Sequence, residues 1–332
     1  MTSHTLGVAL ALLGGILVGN CMSPLGRIKG WRWECTWLVF SFVSLILVPA
    51  ALSLYLVPDW PMLYWGLSLH DLYPSFAFGF GWGVAQVLFG VAVQRLGMAL
   101  GFTLVVGLGT VFGMLVPFLA HQHGDLFHGK GLLLLCGCLL MILGVGLSGW
   151  AGQMRDSRKN APAQASYLSG FIIATISGVL SSMLNLSFSF GGAMNEAAVK
   201  LGAHPAVAVV AVWPVALAGG FIPNFGYSFY LLVRNRSWGD LRKPLPDALW
   251  SGLMGLLWIS AVVIYGLATY QLGPLGDSAG WAIYQITMVL TACVAGVISG
   301  EWKNSSRSAL AIFVLGIIPL LLATVVLAQA TK

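Results

Sequence analysis

The hydrophobic residues of this chain fall into ten runs, each close to the roughly 20 residues that a helix needs to cross the hydrocarbon of a bilayer. They occupy approximately 5–24, 34–57, 74–94, 98–120, 131–151, 167–190, 205–233, 248–271, 278–300 and 309–329, and short connectors between them hold nearly all the charge. Only 8% of the residues are charged and 58% are hydrophobic, where an ordinary soluble domain is roughly a quarter charged. So much apolar surface has no burial site except lipid. The chain therefore reads as an all-α polytopic membrane protein, with no soluble domain large enough to carry its function.

The minor signals agree. Among the 42 glycines, Gly15/Gly19, Gly79/Gly83, Gly97/Gly101, Gly109/Gly113 and Gly296/Gly300 have the four-residue spacing that lets two helix backbones approach closely. The five cysteines are an odd number, and four of them lie in apolar stretches, which is no disulfide framework. The first apolar run has no basic residue before it and a basic flank after it, so no cleaved signal peptide is expected.

The net charge of +6 is not a nucleic-acid stripe, because the basic residues are spread over separate connectors. Their distribution sets the topology. The odd-numbered connectors hold Arg27, Lys29, Arg32, Arg95, Arg155, Arg158, Lys159, Arg234, Arg236, Arg242, Lys243, Lys303 and Arg307, whereas the even connectors and tails hold only Lys130, Lys200 and Lys332. The positive-inside rule then puts the odd connectors in the cytoplasm and both termini outside, on the periplasmic side of an inner membrane. The polar stretch from Arg155 to Pro162 leaves five runs on each side, so residues 1–155 and 156–332 form two five-helix units. An odd helix count inserts duplicated units in opposite orientations, the inverted-repeat plan of many secondary transporters.

Enzyme-like motifs are weak. Gly124 to Lys130 resembles the start of a phosphate loop, yet Gly131 stands where the magnesium-binding Ser or Thr belongs. His121, His123, Asp125 and His128 have metal-ligand chemistry, but a solvated outer loop explains them better, because no second ligand cluster or general base accompanies them. No metal, cofactor or catalytic residue is assigned.

The ten acids are more informative, because a carboxylate near lipid must be paired, capped or functional. Glu34, Glu196, Asp277 and Glu301 border apolar runs, and none stands at mid-span. Uncharged polar residues within the runs are Asn20, Gln86, Asn185, Ser187, Ser189, Asn224, Tyr284 and Gln285. They read either as interhelical glue or, with the indoles of Trp82, Trp213, Trp258 and Trp281, as a sugar site in which amides bond hydroxyls and rings cover C–H faces. Pro214, Gly219-Gly220 and Pro223-Asn224 interrupt the seventh run, as a hinge, a binding site or a simple kink.

At these residues the sequence resembles the L-rhamnose/proton symporter family of the drug/metabolite transporter superfamily. The matches are Trp31-x-Trp33-Glu34-x-x-Trp37; Trp82-Gly83, Gly90 and Arg95-Leu96-Gly97-Met98; Met194-x-Glu196-Ala197-Ala198 with Leu201-Gly202 and Pro205; Gly219-Gly220 with Asn224; Asp277 with Trp281; and Glu301-Trp302-x-Asn304. They run from the first apolar stretch to the last. Departures fall at Gln86, Leu88 and Phe89, where the family has two Asn and a Tyr, and at Asn195, where it has His.

The resemblance implies proton-coupled uptake of a small neutral sugar, L-rhamnose or a related 6-deoxyhexose, by a transporter rather than an enzyme. Only the proton serves as coupling ion, and no obligatory protein partner is expected. Asp277 is the first choice for the proton-coupling group, Glu196 the second and Glu34 the third, with Glu301 structural. Gln86, Asn20, Asn185, Asn224, Trp281, Tyr284, Gln285 and Trp82 are the candidate sugar contacts. Export or exchange of another metabolite is the alternative, and a membrane-embedded metal hydrolase using the His121–His128 cluster a remote one.

Overall fold

The computed structural model describes residues 3–122, 127–156, 164–242, 245–300, 302–303 and 305–331. Glu301, and the His123 and Asp125 of the histidine cluster, lie outside them. Among the described residues every regular element is helical, and ten segments are long and apolar enough to cross a membrane. They are span 1 (His4–Arg27), span 2 (Trp33–Leu56), span 3 (Leu69–Leu96), span 4 (Leu100–His121), span 5 (Gly129–Arg155), span 6 (Leu168–Lys200), span 7 (Pro205–Arg234), span 8 (Leu245–Leu275), span 9 (Ala279–Ile298) and span 10 (Arg307–Ala330). The chain is a multi-pass membrane protein. Its outward rings of large apolar side chains, such as Leu54, Leu139, Leu143, Val314 and Val325, are exposed as a lipid-facing surface requires.

Helix ends are set by local chemistry. Asp71, in the first turn of span 3, closes a capping box: its Oδ2 accepts from the Ser68 backbone N–H at 3.0 Å and from the Ser68 hydroxyl at 2.7 Å. Ser306 caps span 10 by accepting from the Ala309 N–H at 3.2 Å. In the connector after span 2, the Tyr64 hydroxyl donates to the Ala211 carbonyl at 2.7 Å and accepts from the Trp60 indole at 3.0 Å. Burial pushes this phenol up to about 12, so it stays a neutral donor tying the connector to span 7.

Glycines decide the closest helix contacts. Span 3 lies against span 7, where a Cβ on Gly79 would land on the Ala216 carbonyl and one on Gly83 on the Gly220 backbone. Gly15 and Gly19 of span 1 face Thr287 and Thr291 of span 9, so Gly15/Gly19 and Gly79/Gly83 both sit in helix seams. The Gly219-Gly220 pair of span 7 serves the same seam with span 3. The helix continues unbroken from Trp213 to Arg234, with Pro214 in its first turn, where a missing N–H leaves no hydrogen bond unmade.

The interruption falls in span 6 instead. That segment is three pieces, Gln164–Ser181, Met183–Ser189 and Gly192–Lys200, followed by a 3-10 turn at Pro205–Ala211 that opens span 7. Across the bundle, span 5 packs on span 10, span 2 on span 7 and span 4 on span 9. Span 3 packs on spans 6 and 7, and span 1 on span 8, which also packs on span 2. This set of neighbours maps onto itself when each span is exchanged for the one five places away in the order.

Candidate functional site

A cavity of about 660 Å³ opens at the end of the bundle that carries the even-numbered connectors, opposite the basic ones. His121 reaches it from the end of span 4, Asn185, Ser189, Asn195, Glu196 and Lys200 from the later pieces of span 6, Tyr265 and Tyr270 from span 8, and Asp277 from the connector before span 9. The breaks in span 6 turn its short helices into the cavity wall. Asp277 is carried inward by a tight connector: Gly273 has a φ of +67°, and Gly276 lies so close to the backbone of Thr269 that a Cβ would collide with it.

Three side chains meet at the carboxylate. The Ser189 hydroxyl donates to Asp277 Oδ2, and His121 Nδ1 lies 3.2 Å from the same Oδ2 and 3.2 Å from Ser189 Oγ. The Asp277 side chain is 23% exposed and that of His121 37%, so both reach the water of the cavity. The His121 ring lies against Phe190, with centroids 5.2 Å apart.

Beneath them Asn185 is the structural tie. Its Nδ2 donates to the Gly113 carbonyl at 2.9 Å and to the Asp277 carbonyl, and its Oδ1 accepts from the Tyr265 hydroxyl at 2.6 Å. One buried amide thus holds spans 4, 6 and 8 and the Asp277 connector. Tyr265, Trp281 and Tyr284 pack ring against ring with centroids 5.0–5.7 Å apart, Trp281 stacked on Tyr284 and Tyr265 edge-on to Trp281, and form an aromatic layer below. The Trp281 indole fits because Gly113 has no Cβ to meet it, and its N–H donates to the Gly109 carbonyl at 3.3 Å. Asn185→Ala is expected to destabilise the protein by roughly 2–5 kcal/mol, because it strands the buried Tyr265 hydroxyl and two carbonyls. Thermal unfolding in detergent measures this.

The other expected residues lie apart from the cavity. Trp82 stacks on Trp258 with centroids 5.4 Å apart. Asn224 donates to its own helix at Gly220 and accepts from the Trp37 indole at 2.8 Å, while Asn20 donates to Ile16 in its own helix at 2.9 Å. Gln86 and Gln285 are half-buried and make no side-chain hydrogen bond among the described residues. Glu34 is buried at the basic end, where its Oε1 accepts from Ser237 Oγ at 2.6 Å and Asn235 Nδ2 at 3.0 Å.

That basic end is closed by links between the connector after span 1 and the one after span 7. Arg32 pairs with Asp240 at 3.3 Å and donates to the Asn235 carbonyl at 2.7 Å. Asp247 accepts the backbone N–H groups of Lys29 and Gly30 at 3.3 and 2.7 Å. Trp33, Trp37, Phe40, Trp258 and Trp82 form a continuous chain of ring contacts between this latch and the bundle interior.

A family model described as the L-rhamnose-proton symport protein matches residues 1–331. This chain belongs to that family. Relatives named L-rhamnose-proton symporter include one from Klebsiella pneumoniae subsp. pneumoniae, 29% identical over 96% of each chain. Others from Shigella flexneri and Escherichia coli are each 28% identical over the same share. A crystal structure of a protein aligns over 98% of each chain with a TM-score of 0.52 at 16% identity, a likeness of fold. Of the acids that match the family pattern, Asp277 and Glu196 share the open cavity, and Glu34 belongs to the latch at the far end.

Tyr265 and Tyr270 are not singled out by the sequence, and His121 is read there only as a member of the weak histidine cluster. Within the symporter family reading, a signal for His121 existed: it ends an apolar run on the same side of the topology as Asp277.

Proposed function

We propose that this chain is a secondary active transporter that carries a small neutral sugar, L-rhamnose or a related 6-deoxyhexose, into the cell with a proton. The observation that carries the reading is Asp277, a carboxylate that accepts from the Ser189 hydroxyl and lies beside His121 in the wall of an open cavity. Membership in a family whose relatives are named as symporters supports it, and distinguishes it from an enzyme. A protonatable carboxylate beside the sugar lets the outside proton favour the loaded state and cytoplasmic deprotonation favour release.

The charge tally supports an orientation with both termini on the periplasmic side of the inner membrane. In that orientation the cavity faces outward and the latch seals the cytoplasmic side. We assign residues 1–155 and 156–332 to two inverted five-helix repeats; the neighbour map that survives a shift of five spans supports this. Asp277 is the proton-coupling carboxylate, Glu196 shares the same cavity wall as the second choice, and Glu34 acts in the latch. Asn185 lines the outward cavity, and Trp281 and Tyr284 lie in the aromatic layer below it. Trp82, Gln86, Asn20, Asn224 and Gln285 are assigned to contacts made once the repeats have rocked.

Proteoliposomes with an inward proton gradient test the reading: L-rhamnose is expected to accumulate and to be released by a protonophore. Uptake that ignores the gradient, or export of another metabolite, would sink it.

The latch gives a second measurement. Asp240→Asn removes the charge that Arg32 faces, and is expected to raise the population open at the basic end. Cys35, fully buried beside the Ser237 carbonyl, should then label about 3- to 10-fold faster with an impermeant thiol reagent in inside-out vesicles. Labelling at the wild-type rate would remove the latch assignment.

A further inference from the structure

His121 belongs to the first five spans, whereas Asp277 and Ser189 belong to the last five. Their contact is therefore a link between the two sets at the mouth of the cavity. We propose that the coupling proton is bound by the His121–Asp277 pair and rests on the imidazole, with Asp277 as the countercharge that holds it there. The proposal rests on the symport reading above and deepens it.

The geometry favours the imidazole as the seat of the proton. Asp277 Oδ2 already accepts the Ser189 hydroxyl and faces His121 Nδ1, so donors crowd the oxygen that a proton would have to occupy. The imidazole is more open to the cavity water than the carboxylate. As classes, free carboxylates titrate near pH 4 and imidazoles near 6.5. A carrier that must load from an outside medium near neutrality is served by the second range.

Charge then couples loading to closure. Among the described residues, the other titratable or charged groups in the cavity wall are the Tyr265 and Tyr270 phenols from span 8 and Glu196 and Lys200 from span 6. Glu196 and Lys200 lie four residues apart on one short helix and carry opposite charges. The net charge of the wall therefore follows the pair: one negative charge with neutral imidazole, none with imidazolium. Expelling water around a net charge costs far more than doing so around a hydrogen-bonded, neutral ion pair. The unprotonated cavity resists closing, and the protonated one closes around the sugar. When the site reopens to the less acidic cytoplasm, the imidazole gives up its proton and the pair resets.

His121→Gln separates this from carriage by the carboxylate alone, because an amide can still donate to Asp277 and cannot titrate. Sugar uptake in proteoliposomes is followed from pH 5 to 8, each protein normalised to its own maximum so that the midpoint is compared and not the rate. The variant's midpoint is expected to fall by at least about one pH unit, toward the carboxylate range. A variant midpoint equal to that of the wild type overturns the proposal. Wild-type uptake with no proton dependence overturns the symport reading itself, and is seen before any variant is made. If the glutamine variant does not fold, the His121 ring resonance in the wild-type protein decides by NMR: titration between pH 5 and 8, moving to lower pH in Asp277→Asn, supports the pair. A ring that does not titrate there, or that ignores Asp277→Asn, overturns it.

Discussion

Asp277→Asn is expected to abolish proton-driven accumulation of sugar while leaving a slower exchange of sugar for sugar. With one proton per sugar and an inward gradient of two pH units, the wild-type chain can concentrate its substrate up to about 100-fold, since each pH unit is a factor of ten. The asparagine keeps an acceptor for the Ser189 hydroxyl and nearly the same volume, so the wall of the cavity stays in place. It removes the negative charge whose neutralisation drives closure, so the transporter can cycle without a proton. Accumulation should fall to about onefold, and radiolabelled counterflow should persist. Full accumulation by this variant would mean that another group, with Glu196 next in line, carries the proton.

Gly83→Leu is expected to be severely damaging to the fold. The carbonyl and Cα of Gly220 lie where its Cβ would be, and Gly220 in turn faces the Trp82 ring, 2.8 Å from the place of its own absent Cβ. A side chain at this seam meets backbone, which cannot rotate away, so spans 3 and 7 must separate along their length. Overpacking of a rigid site costs about 3 kcal/mol or more. Separation would also break the Trp82–Trp258 stack and loosen the contacts of span 7 with span 2. A fall of about 10 °C in the unfolding midpoint, or loss of the monodisperse peak on size-exclusion, is the expected reading. Gly90→Leu is the control, because nothing lies within 4 Å of the place its Cβ would take.

These two sites differ in how far the sequence reveals them. Gly79 and Gly83 announce a close helix contact by spacing alone, because a missing Cβ every fourth residue puts a groove on one helix face. Asp277 stands out because an acid beside an apolar run must be accounted for. The partners of each were invisible: Gly83 could have met any of nine helices, and Asp277 meets His121 across 156 residues of chain. Asn185 reads from sequence as glue or as sugar ligand. The structure gives its amide three protein partners, so in this state its bonding capacity is spent on holding the cavity together. The sequence reading places the interruption at Pro214, Gly219-Gly220 and Pro223-Asn224, as hinge, site or simple kink; the helix there is continuous, with Pro223 inside it, and the breaks fall near Ser182 and Phe190. Proline in a first turn is harmless, and paired glycines serve packing as readily as bending.

The sequence by itself determined that the chain spans a membrane ten times, which connectors carry the positive charge and which acids stand at helix ends. Those properties follow from the length and polarity of contiguous segments, and lipid reads them one segment at a time. Only the tertiary structure decided which end holds the open cavity and which is latched, and that His121, Ser189 and Asp277 share one carboxylate oxygen. The physical reason is that these facts depend on how helices distant in the chain face one another. Among helices that are apolar on nearly every side, facing is set by steric fit at glycines and by a few buried hydrogen bonds, and a hydrophobic stripe that could be read from the sequence is absent.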